Sequence, residues 1–315
     1  MVPVARAAAG RVVQGVVLTT ITFSSRDRET VQDLDERFHR SDACDPWVKS
    51  FFIHAYRDLF DDIRSVAPAV AVPYNCGTLI AAPNGKLVGI DLTLLENYYG
   101  GRDWNVPGWL YDLISDRLDV LIVSHGHWDH CWVELIWSMI RKGKTVIVPE
   151  GIRTCAPKFL PQGCRGVADD ARFWWNGLHF AFHHNRHVYD GGRGMNVLTT
   201  RIWDGRNVYL HTSDADPTDE ERFRWHDPHP VDVLLFKFGG VSPFVSDYDA
   251  LVRTVDLISP RKLLLPIHLN EFGHRGTGAA LPYGHTYDVF ERYRAEGRLG
   301  SRRYAVLFGN RIVRL

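Results

Sequence analysis

Apolar residues recur at helical spacing over Phe51, Phe52, Ala55, Tyr56, Leu59, Phe60 and Ile63, with Val48 one turn earlier, inside PWVKSFFIHAYRDLFDDI. That spacing lines one face of a helix and predicts a helical run ending near Pro68, whose ring removes a backbone donor. Upstream, SSRDRETVQDLDERF opens on serines suited to cap a helix, so residues 24–66 read as a segment of about two helices. Ahead of it, Val12–Phe23 reads as a strand: Arg6 and Arg11 precede it as they would in an export signal, but Gln14 and threonines interrupt the apolar run and no A-x-A site follows.

Beyond Pro68 the period shortens. Apolar runs bounded by turn residues predict strands at Val70–Tyr74, Gly77–Ala82 and Lys86–Asp91, the last two joined by the hairpin turn Pro83-Asn84-Gly85. A helix at Trp109–Arg117, a strand at Val120–Ser124, a helix at Cys131–Lys142 and a strand at Thr145–Pro149 follow. The second half repeats the theme, with strands at His179–Asn185, Asn196–Trp203 and Asn207–Thr212, the last pair turning at Asp204-Gly205. Then come a strand at Val231–Phe238, a helix at Tyr248–Ile258, a strand at Lys262–His268, a helix around Thr286–Glu296 and a closing strand at Tyr304–Val313. Strands and helices alternating in both halves, with frequent hairpins, predict mixed sheets covered by helices: a layered α/β body, not a solenoid.

Composition narrows the function classes. At 315 residues the chain can bury a large core, and 45% hydrophobic with 23% charged residues is ordinary for a soluble globular protein. Lys plus Arg equals Asp plus Glu at 37 each, so no net field recruits nucleic acid or an anionic membrane, and no stretch has the length and apolarity of a membrane span. Five cysteines, odd in number and without a C-x-x-C pair, argue against a disulfide framework and fit a reducing cytoplasm.

The chemistry concentrates in SHGHWDH, residues 124–130, directly after the apolar run Val120–Val123. In extended chain, residues i and i+2 point the same way, so His125 and His127 can bind one metal side by side. Where the chain turns toward the next helix, Asp129 and His130 can swing toward a second metal. A lone histidine at a strand end is usually just a satisfied polar side chain, the reading for His39, His54, His179 and His229. Four ligand-type residues in H-x-H-x-D-H order are not explained that way.

This motif resembles the metallo-β-lactamase-fold superfamily, and the resemblance extends over about residues 70–275. It implies a four-layer αββα sandwich of two mixed sheets over residues 67–315, preceded by an N-terminal strand and helical extension over 1–66, on which it is silent. It implies that Asp91, closing KLVGID, orients ligand histidines from behind; that Asp214 bridges two metals; and that His268, closing LLLPIH, is the last ligand. Ser213 departs from the glycine common before the bridging aspartate. Pro266, His268 and Phe272, with VDVLLFKFGG, are similar to the branch holding ascorbate-6-phosphate lactonase-like proteins and N-acylphosphatidylethanolamine phospholipase D. The middle histidine ligand has three candidates, His183, His184 and His187; the family places it in the loop after a strand, which selects His187, with His184 second.

The expectation is a dinuclear metallohydrolase: His125, His127 and His187 on one metal, Asp129, His130 and His268 on the other, and Asp214 between. Two divalent ions, zinc by ligand type with manganese or iron as alternatives, would deliver a hydroxide to a lactone, an amide or a phosphodiester, with Asp129 orienting it. Tyr98, Tyr99, Trp104 and Trp109, with Trp128 inside the motif, are candidates for a pocket wall, or equally for packing of their loop. Lys237, Arg102, His274 and His285 are candidate polar anchors, and residues 24–66 are a candidate lid, contact between copies of the chain, or plain core. The competing readings are a mononuclear iron oxygenase on the same nest and a non-catalytic scaffold, the latter at odds with the intact ligand set. A nuclease is disfavoured by the neutral charge.

Overall fold

Pro46 opens α1 (Pro46–Asp62), at a position where its missing N–H goes unused in any helix. The computed structural model describes residues 46–94, 106–127, 129–152, 162–187, 195–225, 228–238, 248–268 and 282–315, the backbone alone at 48, 49 and 282–288, and four positions ahead of these, 26, 29, 33 and 37. Those four are helical, with Arg37 Nε 3.0 Å from Asp33 Oδ1 one turn away, as the charged segment predicts. The expected strand at Val12–Phe23 lies outside the described residues.

Among the described residues, fourteen strands form two seven-stranded sheets. The first comprises β1 (Ala69–Tyr74), β2 (Gly77–Ala81), β3 (Leu87–Ile90), β4 (Val120–Ile122), β5 (Thr145–Pro149) and β6 (Arg165–Val167), with β14 (Val313–Arg314) beside β1. The second comprises β7 (Arg172–Trp175), β8 (Leu178–Arg186), β9 (Asn196–Trp203), β10 (Val208–His211), β11 (Val233–Lys237), β12 (Leu263–Ile267) and β13 (Arg303–Tyr304), in that order. Each sheet runs antiparallel through its early strands and parallel thereafter, from β3 in the first and from β10 in the second. The parallel crossovers carry the remaining helices: α2 (Gly108–Arg117), α3 (Val133–Arg141), α4 (Tyr248–Ile258) and α5 (Pro282–Ala295).

Strand alternation decides what each face buries. Val70 and Val72 on β1 join Phe180 and Phe182 on β8 and Leu263 and Leu265 on β12 in a layer between the sheets. Their neighbours Ala69, Ala71 and Tyr74 face the other way, into a second layer under Phe52, Leu59 and Phe60 of α1. Both faces are therefore dry, which is why these strands read as continuous apolar runs. Burying a side chain of this size contributes about 1.5–3 kcal/mol, so the two layers dominate the fold's stability. The result is the expected αββα sandwich.

Three differences from the sequence reading have physical causes. The single closing strand over Tyr304–Val313 is two short ones, β13 on the second sheet and β14 on the first. Between them Ala305, Val306, Leu307 and Phe308 are all buried as the chain crosses the sandwich, and Gly309, at φ 65°, makes the turn. Strands β6 and β7 were not expected: they are short, start on Arg165 and Arg172, and β7 is an edge whose exposed face carries Trp174. The signal for β7 was Asn176-Gly177, both at positive φ, which turns it into β8.

Candidate metal centre

The parallel strands of both sheets end at one edge of the sandwich, and the ligand-type residues stand in the turns just beyond. Asn75 after β1, Asp91 after β3, Ser213 after β10 and His268 after β12 all hold positive φ, 51°, 50°, 48° and 64°. Such backbone costs of order 1–3 kcal/mol at non-glycine residues and persists where surrounding bonds over-determine it. Here they do.

Asp91, fully buried, accepts four hydrogen bonds. Ser124 N donates to Oδ1 at 2.7 Å; Ser124 Oγ, Ser213 Oγ and His130 Nδ1 converge on Oδ2 at 2.7, 2.8 and 2.9 Å. With Nδ1 protonated toward Asp91, His130 turns Nε2 toward Asp129 Oδ2 (3.1 Å) and Asp214 Oδ1 (3.4 Å). Ser213, the departure from glycine, thus has a role in joining the two halves.

His125, His127 and His187 form one donor group, their rings 4.5–4.8 Å apart by centroid. His184, the second candidate, instead pairs through Nε2 with the Val167 carbonyl of β6 at 2.9 Å. His183 lies against Asp170 and the Arg222 carbonyl, stacked on Trp225 at 3.7 Å. The second donor group comprises Cys76, His130, Asp214 and His268, all ligand atoms within 4.8 Å of one another. Asp129 stands beside this group: Asn75 Nδ2 donates to its Oδ2 at 3.2 Å, and His268 Nε2 is 3.3 Å from the same oxygen. The turn Asn75-Cys76 escaped sequence reading because neither residue belongs to the H-x-H-x-D-H pattern; His211, whose Nε2 donates to the Cys76 carbonyl at 3.1 Å, escaped for the same reason.

Lys237, expected as a polar anchor, is buried at the end of β11 with Nζ 2.7 Å from Asp214 Oδ2. Trp109 is about half exposed at the start of α2. Tyr98, Tyr99, Arg102, Trp104, Trp128 and His274, and the side chain of His285, lie outside the described residues.

The electrostatics suit cations. Burial, and then neighbouring imidazoles, keep His125 well below the usual histidine range and bring His127 down to about 4, so both are neutral donors at pH 7. His125 Nε2 is buried and has no hydrogen-bond partner, an orphaned lone pair facing the other rings. Burial also works against charge on His130, but Asp129, Asp214 and Asp91 outweigh it and hold its pKa well above the ordinary value. Burial opposes ionisation of Asp129 and Asp214 as well. His130 and His268 beside the first, and Lys237 with those histidines beside the second, nevertheless keep both carboxyls well below their usual range. The residues present fit two divalent ions: neutral imidazoles on one side, ionised carboxylates and an imidazole held by proton or cation on the other.

No protein-family model and no curated protein matches the chain in sequence. Solved structures match it in three dimensions. CmlA, a diiron β-hydroxylase from Streptomyces venezuelae, aligns at TM-score 0.53 and 15% identity over 78% of this chain and 54% of its own, so the chain spans about half that protein's length. Igni18, a metallo hydrolase from Ignicoccus hospitalis, aligns at 0.52 and 14% over 78% of this chain and 97% of its own. A protein from Veillonella parvula, described as a possible metal-dependent hydrolase, aligns at 0.53 and 12% over 78% and 99%. What is shared at these identities is the fold, a sandwich of two mixed sheets between helices.

Proposed function

We propose that the chain is a dinuclear metal-dependent hydrolase of a small molecule carrying a lactone, amide or phosphodiester bond. The observation that carries this reading is the placement of Asp214. Its Oδ2 lies 3.4 Å from His187 Nε2, while Oδ1 lies 3.4 Å from His130 Nε2 and 3.6 Å from His268 Nε2. One carboxylate thus faces both donor groups, as a bridge between two cations must. His125, His127 and His187 would hold one ion, and His130, His268 and Asp129 the other. Zinc suits such imidazole and carboxylate donors, and manganese or iron are the alternatives.

When bound, the ions supply a water acidified to near neutrality and positive charge for a developing oxyanion. The chain's own residues do the rest. Asp129, ionised and anchored by Asn75, would orient the attacking water. Asp91 keeps the His130 proton on Nδ1, so Nε2 stays aimed at the site. The buried Lys237 ammonium offsets the charge of Asp214 and offers a donor toward the substrate. The Pro266-x-His268 context supports the lactonase and phospholipase-like branch, and the balanced charge supports a small substrate over a nucleic acid. Tyr98, Tyr99, Trp104, Trp109, Trp128 and His274 are the residues proposed to shape its pocket.

Elemental analysis of purified protein, with lactone, amide and phosphodiester probes, tests the reading. About two metal ions per chain and turnover lost in His127→Ala and Asp214→Ala are expected. Equal hydrolysis by metal-stripped protein would refute it. Because CmlA, a diiron β-hydroxylase, shares this fold over about half its length, a chain that holds iron and consumes oxygen with substrate would favour the oxygenase reading instead.

A further inference from the structure

Cys76 is the donor at this centre for which the histidine motif has no place. It stands in the turn from β1 to β2, fully buried, with Sγ 3.7 Å from Asp214 Oδ1. From that same oxygen, His130 Nε2 is 3.4 Å away and His268 Nε2 is 3.6 Å. Four donors around a tetrahedral zinc, at about 2.0–2.1 Å for nitrogen and oxygen and about 2.3 Å for sulfur, stand roughly 3.3–3.5 Å apart. The three measured separations come within a few tenths of an ångström of that figure.

The sulfur is also held in place. The Cys76 carbonyl accepts hydrogen bonds from His211 Nε2 and Thr78 Oγ1, each at 3.1 Å. The Asn75 carbonyl accepts the His268 N–H at 3.1 Å, and Asn75 Nδ2 donates to Asp129 at 3.2 Å. The Asn75-Cys76 turn is therefore bonded to two of the segments that carry the other donors. Cys131, buried and next to His130, is not in the group.

Resting on the two-metal reading, we propose that Cys76 ligates the second cation as a thiolate, with His130, His268 and Asp214, in the place that reading gives to Asp129, which then stands beside the four. The S–H bond breaks as the S–metal bond forms, the proton passes to solvent, and no electron is transferred. A thiolate makes this half of the centre soft and favours zinc over manganese there. The competing role for the sulfur is a protonated thiol donating weakly to Asp214.

Two measurements on the full chain decide between them. With cobalt(II), a near-ultraviolet thiolate-to-cobalt charge-transfer band is expected; with zinc, X-ray absorption should show a sulfur shell at about 2.3 Å, one sulfur per two metals. Both should vanish in Cys76→Ser. Both should survive in a variant with Cys44, Cys131, Cys155 and Cys164 all changed to Ser, which keeps the test decisive if Cys76→Ser does not fold. Two bound metals with only nitrogen and oxygen neighbours would overturn the Cys76 proposal and leave the dinuclear reading standing. Protein that binds no metal would overturn both.

Discussion

Ser213 Oγ donates to Asp91 Oδ2 at 2.8 Å, tying the turn before Asp214 in the second sheet to the aspartate that closes β3 in the first. Asp91 collects four donors in all, and an amide in its place would turn N–H groups toward some of them. Asp91→Asn should therefore misorient His130 and weaken binding of the second cation about 10–100-fold, with the three-histidine group much less affected. Chelator competition, read for each metal equivalent, checks this; equal loss at both would show a general defect. Ser213→Gly removes the hydroxyl bonded to Asp91 Oδ2 and to Ser124 Oγ, at about 0.5–1.5 kcal/mol for each bond lost.

The choice between His187 and His184 is equally direct. His187 Nε2 faces Asp214 at 3.4 Å, whereas His184 Nε2 is bonded to Val167. His187→Ala should lose one metal equivalent and activity, and His184→Ala should keep both. The opposite pattern would reassign the middle ligand.

How far the sequence carried depended on which physical signal each part leaves. Val70, Val72, Leu263 and Leu265 sit in strands with dry faces, and that burial writes itself as apolar runs that place the sheets. His125, His127, Asp129 and His130 are close in sequence because one strand exit holds them all, so the first half of the site was legible. Asn75 and Cys76 lie far from the motif and reach it only because β1 ends at the same edge of the sandwich as β4 and β12, a fact of topology that no local pattern records. The bond between Lys237 and Asp214 was invisible for the same reason, although Lys237 itself stood among the candidate polar anchors.

That pair yields a stability prediction. Lys237 and Asp214 are both nearly inaccessible, with Nζ and Oδ2 2.7 Å apart. Burial works against the lysine charge, but Asp214, helped by Cys76 and Asp129, holds its pKa above the ordinary value. Lys237→Met removes the nearest countercharge of the buried Asp214 carboxylate, leaving it His130 at 3.4 Å, and should cost the metal-free protein up to about 3–5 kcal/mol. Cations at the site would neutralise the same carboxylate, so zinc should raise the Tm of the variant more than that of the parent. Equal zinc-induced shifts would show that Lys237 does not balance the charge of Asp214.

Away from the centre, Asp119 provides a pH test of the scaffold alone. Its Oδ2 accepts the Leu87 N–H and Arg64 Nη2, each at 2.9 Å, and Lys86 Nζ lies 3.2 Å from Oδ1, pinning the start of β3 to the start of β4. Partial burial pushes the carboxyl up, but the Leu87 amide, Arg64 and Lys86 together outweigh it and leave its pKa below 3.8. A folded value below the unfolded one means the stabilisation is fully present above pH 3.8 and is lost as pH falls through the folded value. Asp119→Asn, which cannot ionise, should lose about 1–3 kcal/mol at pH 7, where the charged hydrogen bonds are intact. The gap to the parent should narrow as acid protonates Asp119, since both side chains are then neutral. Urea unfolding at neutral and acid pH measures both gaps, and a deficit that stayed constant would assign the loss to shape instead of charge.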